Sequence, residues 1–303
     1  MLNSGCILDG KYEVIKVLGK GGMGTVYLCK NIRLQNLWAI KEVKKDFKKN
    51  IEILSEPNIL RKLRHANIPR IVDIFYENNS LYMVQDYIEG QTLKKYVKEK
   101  GFIKTGNICN IILEICNIIS YLHSLNPPII YRDLKPSNIM ITPKEEVFLI
   151  DFGISKIYKD YDTNEDRYMG TSGFAAPEQY SLGQSCRQTD IYGIGMVMYF
   201  MATGKVSYTG LEPLMDDNYD NNVDGNLKKI IQKCVQIDIE NRYVSVEELN
   251  KEIIIKMLKV NMELQKLNKF KFRKTIIMMV LFIAIFLISI YGLDRNQIIS
   301  LLF

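Results

Sequence analysis

The chain has 303 residues, 47% of them hydrophobic and 24% charged, with a formal net charge of +6 at neutral pH. That length exceeds a single compact core and suits two lobes, while the charge falls short of a dedicated nucleic-acid binder. Six scattered cysteines without a Cys-x-x-Cys pair, and only two histidines, argue against a disulfide framework or a zinc site. Cys109 and Cys116, in an apolar helical run, read as core thiols of a reducing compartment. No targeting signal is expected at the N-terminus: Leu2 stands where myristoylation needs glycine, and no apolar h-region precedes Cys6.

Residues 12–18, YEVIKVL, alternate as a strand does, and residues 25–29, TVYLC, resume a β-rich run. Between them lie Gly19, Lys20, Gly21, Gly22, Met23 and Gly24. A dinucleotide fingerprint or a P-loop needs a helix after its glycines. Here the glycines sit in a hairpin, where backbone without Cβ approaches phosphate oxygens closely. In the next strand, Leu37, Ala39, Lys41 and Val43 share one face, and a lysine among apolar neighbours needs a partner. A helix expected over 48–63 carries Glu52 and Glu56, either of which could supply it. Residues 68–75 and 81–84 read as strands, 85–90 as a connector, and 92–99 and 108–124 as helices. The chain begins β-rich and becomes helix-rich, an α+β pair of lobes.

The stretch 129–153, IIYRDLKPSNIMITPKEEVFLIDFG, carries the densest chemistry. Asp133, Lys135 and Asn138 fall within six residues, and Asp151 follows an apolar run, 147–150, that reads as a buried strand. A looped backbone brings a carboxylate, an ammonium and an amide oxygen to one small volume. Phosphoryl transfer from a metal-bound nucleotide needs that set: a base for the hydroxyl, a cation for the transferred group, oxygen ligands for Mg²⁺. A polar loop beside a strand is the ordinary alternative. His65 and His123 read as structural. Residues 202–205, ATGK, are not a phosphate loop, because Val206 stands where serine or threonine is required. The acidic stretch 216–224 reads as a solvated loop.

Residues 246–267 are charged and helical, and Lys266, Lys269, Lys271, Arg273 and Lys274 close them off. The nineteen residues 275–293 carry no charge, and as a helix they reach about 28 Å, close to the hydrocarbon thickness of a bilayer. A membrane span is expected, with the basic cluster and everything before it in the cytoplasm and residues 294–303 as a short extracytoplasmic tail. Phe270 and Phe272 among the basic residues suit a lipid interface better than nucleic acid.

In order, these motifs resemble the eukaryotic-type protein kinases, in particular the bacterial membrane-anchored serine/threonine kinases. Gly19-x-Gly21-Gly22-x-Gly24-x-Val26 resembles their nucleotide-covering loop, Ala39-Ile40-Lys41 their phosphate-binding strand, and residues 131–138, YRDLKPSN, their catalytic loop. Asp151-Phe152-Gly153 is similar to the metal loop, Ala176-Pro177-Glu178 to the end of the activation segment, and Asp190 and Arg242 to later anchors. The resemblance implies a bilobal kinase fold over 11–258, divided at 86/87 after a ten-residue N-terminal extension, with a basic segment 259–274 before the span. It implies ATP and Mg²⁺ as cofactors, with Mn²⁺ as an alternative ion, and protein substrates, the cytoplasmic membrane and a homodimer as partners.

It also implies residue roles. Lys41 contacts the α- and β-phosphates and pairs with Glu56, with Glu52 in reserve. Asp133 is the base, Lys135 steadies the γ-phosphate, and Asn138 and Asp151 hold the metal. Leu18, the glycine loop, Val26, Ala39 and Met140 enclose the nucleotide, with Gln85 guarding the back of the pocket and Ile88 offering its backbone to the adenine edge. Thr171 hydrogen-bonds Asp133 and Lys135, and Glu178 pairs with Arg242. Tyr131 replaces the family's usual histidine, and Pro57, directly after Glu56, interrupts or restarts that helix. Arg132 beside Asp133 goes with control by activation-segment phosphorylation, and Thr163 is the candidate site, with Tyr158, Tyr161, Tyr168, Thr171 and Ser172 as rivals. The function expected is an ATP-dependent serine/threonine kinase, and the alternative is a catalytically impaired kinase-fold scaffold.

Overall fold

The computed structural model describes residues 2–21, 24–44, 63–101, 103–152, 156–157, 170–180, 184–219 and 223–291. The chain divides into two units, Met1–Ile253 and Ile254–Phe303.

The first unit opens with an antiparallel six-stranded sheet in the order β1-β2-β3-β4-β6-β5. Its strands are β1 (Ile7–Leu8), β2 (Tyr12–Gly21), β3 (Gly24–Asn31), β4 (Leu37–Lys44), β5 (Ile71–Glu77) and β6 (Ser80–Asp86). Gly21 faces Gly24 across the ladder, so the glycines close a hairpin and do not open a helix. Because side chains alternate along a strand, register sorts the residues onto two faces. Val26, Lys41 and Met83 lie opposite one another on one face, as do Leu28, Ala39 and Gln85. Tyr27, Ile40, Tyr82 and Val84 point the other way and form a core with Leu8, Tyr12 and Val14, against which Leu2 and Cys6 pack. The strand expected from residue 68 starts at Ile71. His65–Ile68 form a turn instead, and Pro69 has no N–H to give a ladder.

The helical part contains α1 (Leu93–Lys100), capped by Thr92, whose hydroxyl accepts from Lys95 N–H, and α2 (Thr105–Ser124). Helix α2 is long and apolar enough to cross a membrane, but half of its apolar window is buried, as in a core helix. Helix α3 (Arg187–Thr203) is buried along almost its whole length. A Cβ at Gly193 would come 2.8 Å from the Leu134 side chain, so glycine there lets α3 lie against the loop that holds Asp133. Helix α4 (Gly225–Cys234) is capped by Asp224 of the acidic stretch, which accepts from the N–H groups of Asn226 and Leu227.

Short strands frame the polar stretch. β7 (Gln91–Thr92), β9 (Ile139–Ile141) and β10 (Val147–Leu149) form one small sheet, and β8 (Ile129–Ile130) pairs with β11 (Lys156–Ile157). The final helix, α5 (Val246–Tyr291), runs through 46 residues, so the segments expected at 246–267 and from 275 onward are one continuous helix. In the first unit its Val246, Leu249 and Ile253 are buried. In the second unit, Ile276 to Ile283, Ile285 and Phe286 are all exposed.

Candidate active site

The loop after β8 is shaped by one carboxylate. Asp190, on the first turn of α3 and 1% exposed, accepts the backbone N–H of Tyr131 at 2.9 Å and of Arg132 at 2.8 Å. His123 Nε2 lies 2.8 Å from the same carboxylate, which gives that histidine a packing role. Buried amides need partners, and these bonds hold Arg132 in a left-handed conformation, φ +71. The Tyr131 hydroxyl donates to Ile150 O at 2.6 Å, and its ring meets Phe152 edge-on at 5.0 Å. The loop after β8 and the loop after β10 are thereby stitched together through Tyr131.

Asp133, 6% exposed, is the hub. Its Oδ2 receives Lys135 Nζ at 2.6 Å and Asn138 Nδ2 at 2.9 Å, and its Oδ1 receives the Thr171 hydroxyl at 2.8 Å. Lys135 also donates to Thr171 Oγ1 at 2.7 Å, closing a triangle of acid, base and hydroxyl. Asn138 is set by a turn, its N–H donating to Lys135 O, and its carbonyl accepts from Ile150 N–H just before Asp151. Asp151 takes φ +69 and pairs with Lys41 at 2.7 Å.

On the sheet, Lys41 and Ala39 are buried and Val26 is half-buried on the shared face. Gln85 is buried at the end of β6, Ile88 is half-buried beyond it, and Met140 is half-buried on β9 opposite Phe148 and Thr92. Leu18, Gly19, Lys20 and Gly21 are exposed along β2. Glu52, Glu56 and Pro57 lie outside the described residues, as do Gly22, Met23, Gly153 and Thr163.

Below the site, Arg242 grips Glu178 with two parallel bonds of 2.8 and 2.9 Å and donates to the carbonyls of Gln236, Gln188 and Ile237. Burial pushes the Glu178 carboxyl up, but the Arg242 hydrogen bonds and charge, its own backbone N–H and the Thr189 hydroxyl outweigh it, leaving its pKa below the ordinary value. Sequence reasoning missed Gln179. Its Nε2 donates to Arg132 O and its Oε1 accepts from Ala176 N–H, each at 2.9 Å, so it joins the loop after β8 to the segment after Thr171. Nothing in a lone glutamine marks it for that role.

A carboxylate, an ammonium and a hydroxyl in mutual contact, beside an amide and a second carboxylate on a lysine, match the needs of phosphoryl transfer. Residues 12–266 match the family described as protein kinase domain. The chain belongs to the protein kinase family. Among similar kinases, a probable serine/threonine-protein kinase of Clostridium perfringens is 31% identical over 81% of this chain and 38% of its own length. Serine/threonine-protein kinase PrkC of Bacillus subtilis is 29% identical over 88% of this chain and 42% of its own. Myosin light chain kinase A of Dictyostelium discoideum is 30% identical over 80% of this chain and 86% of its own. The chain thus spans about two fifths of the two bacterial kinases.

Protein kinases as a family use ATP and a divalent ion. The donor set here suits a hard ion. Among the described residues no group of three or more His, Cys, Asp or Glu is placed to hold a metal ion. The Asp151 carboxylate and the Asn138 amide oxygen are oxygen donors of the kind a hard divalent ion takes together with waters and phosphates.

Proposed function

We propose that this chain is an ATP-dependent serine/threonine protein kinase. The observation that carries the reading is the Asp133–Lys135–Thr171 triangle with Asn138 in contact. In this reading Asp133 orients the incoming hydroxyl and accepts its proton, Lys135 steadies the transferred group, and Thr171 holds both in place. Lys41 neutralises the nucleotide phosphates, and Asn138 and Asp151 hold Mg²⁺, or Mn²⁺ in its place. Bound ATP supplies the γ-phosphoryl group. Leu18, the glycine hairpin, Val26, Ala39, Met140, Gln85 and Ile88 shape its pocket, and Glu56 completes the Lys41 environment. The names of the similar bacterial kinases support serine and threonine as acceptors.

The reading extends to a kinase domain over 11–258, a basic segment 259–274 and a span over 275–293, with the kinase domain cytoplasmic. The support is an apolar helix surface that lies exposed from Ile276 to Phe286, behind Lys269, Lys271, Arg273 and Lys274. Resistance to alkaline carbonate extraction tests the span, and release overturns it. Thr163 is the proposed autophosphorylation site, and unchanged activation-segment phosphate in Thr163→Ala removes it.

The deciding experiment incubates the full chain, in detergent micelles, with labelled ATP and Mg²⁺. Incorporation that disappears in Asp133→Asn supports the enzyme. Nucleotide binding without transfer turns the reading to a kinase-fold scaffold.

A further inference from the structure

Glu42 follows Lys41 on β4 and points to the opposite face of the sheet. It is 7% exposed, yet it borders the apolar core built on Tyr27, Ile40 and Tyr82. Its carboxylate accepts from three hydroxyls: Tyr27 at 2.9 Å, Ser80 at 3.1 Å and Tyr82 at 3.4 Å. The Tyr27 oxygen in turn accepts from Leu2 N–H at 3.2 Å. Among the described residues, hydroxyls are the side-chain partners of this buried carboxyl.

A polar cluster in an apolar core costs stability relative to hydrocarbon of the same shape. What it supplies is direction, because a hydrogen bond holds its partners at one distance and angle, whereas apolar side chains slide. The donors sit on two strands, on either side of the one that carries Glu42. Tyr27 is on β3, beside the glycine hairpin, and Ser80 and Tyr82 are on β6, the strand that leads to Gln85. The main chain of Glu42 is engaged as well. A Cβ on Gly24, whose φ is +149, would lie 2.0 Å from Glu42 O, so the end of the hairpin rests directly on this residue.

We infer that Glu42 is a positioning residue for nucleotide binding: from behind the sheet, its carboxylate locks β3, β4 and β6 in the register that delivers Lys41 and the glycine hairpin to ATP. The inference rests on the kinase reading above. It goes beyond it in assigning a role to a buried acid that touches neither nucleotide nor substrate.

The test uses the full chain in detergent micelles, with a fluorescent ATP analogue as the binding probe and labelled ATP for the rate. Glu42→Leu weakens analogue binding about tenfold, the scale of one lost hydrogen bond, and raises the ATP KM in step while kcat changes less. Glu42→Gln, which keeps one acceptor oxygen, lies between. A merely structural role lowers the melting temperature and the active fraction but leaves the affinity of the folded fraction unmoved, and that outcome overturns the inference. Should Glu42→Leu show no cooperative melting, the double variant Tyr27→Phe with Tyr82→Phe decides: weakened binding supports the lock and parental binding overturns it. A parent that incorporates no phosphate refutes the kinase reading instead, and analogue binding still judges Glu42.

Discussion

Lys41 and Asp151, 110 positions apart in the chain, meet at 2.7 Å. The lysine is buried and the aspartate half-buried, on a backbone held at φ +69. The strand β4 and the loop after β10 therefore converge through one charge-assisted bond. Removing the ammonium while keeping the side-chain length, as Lys41→Met does, leaves a flexible apolar chain that fits the same space. Phosphate incorporation is expected to fall by about 10²–10³, the scale of one lost electrostatic contact to a transition state. Melting followed by circular dichroism checks that the loss is chemical and not one of folding.

Thr171 touches both Asp133 and Lys135. Thr171→Val keeps the shape and removes the hydroxyl, so Asp133 and Lys135 lose their common tether. We expect kcat to fall by about 10-fold to 100-fold, part of what positioned proton transfer contributes, with ATP KM little changed. Thr171→Ser should restore most of the rate, and steady-state kinetics of the three proteins checks this.

The Glu178–Arg242 pair is buried on both sides. Breaking it with Arg242→Met leaves an uncompensated carboxyl and should cost about 3–5 kcal/mol in chemical denaturation. The pair also has a pH signature. The folded-state pKa of Glu178 lies below its ordinary value of 4.5, so the stabilisation is fully present above that value. It is lost as pH falls through the lowered folded-state value. The melting temperature of the parent should drop on acidification below about pH 4.5 more steeply than that of Glu178→Gln, which calorimetry across that window measures.

Gly24 carries the tightest backbone approach among the described glycines of the hairpin. Gly24→Ala must move the hairpin away from β4 or twist it out of its φ of +149. ATP affinity should fall by about tenfold or more, a loss of at least ~1.4 kcal/mol. Calorimetric titration with nucleotide on the parent and the variant provides the check.

Much of this site can be read from local sequence because its parts are local. Asp133, Lys135 and Asn138 lie within six residues of each other, and the glycine hairpin shows itself by strand alternation on both sides. Order and spacing of such short motifs identify the family, since each is a piece of chemistry carried on a single turn. What the linear chain leaves open is the partner of each buried polar group. Glu42 and Gln179 look like ordinary polar residues in sequence, and Asp190 shows itself there as an anchor without its partners. Packing alone sets Glu42 among three hydroxyls, Gln179 between Arg132 and Ala176, and Asp190 beneath the amides of Tyr131 and Arg132. The reason is physical: periodicity reports which face of an element is buried, but not what another segment, dozens of residues away, brings to meet it. The sequence by itself determined the chemistry, and the tertiary structure decided which residues hold that chemistry in place.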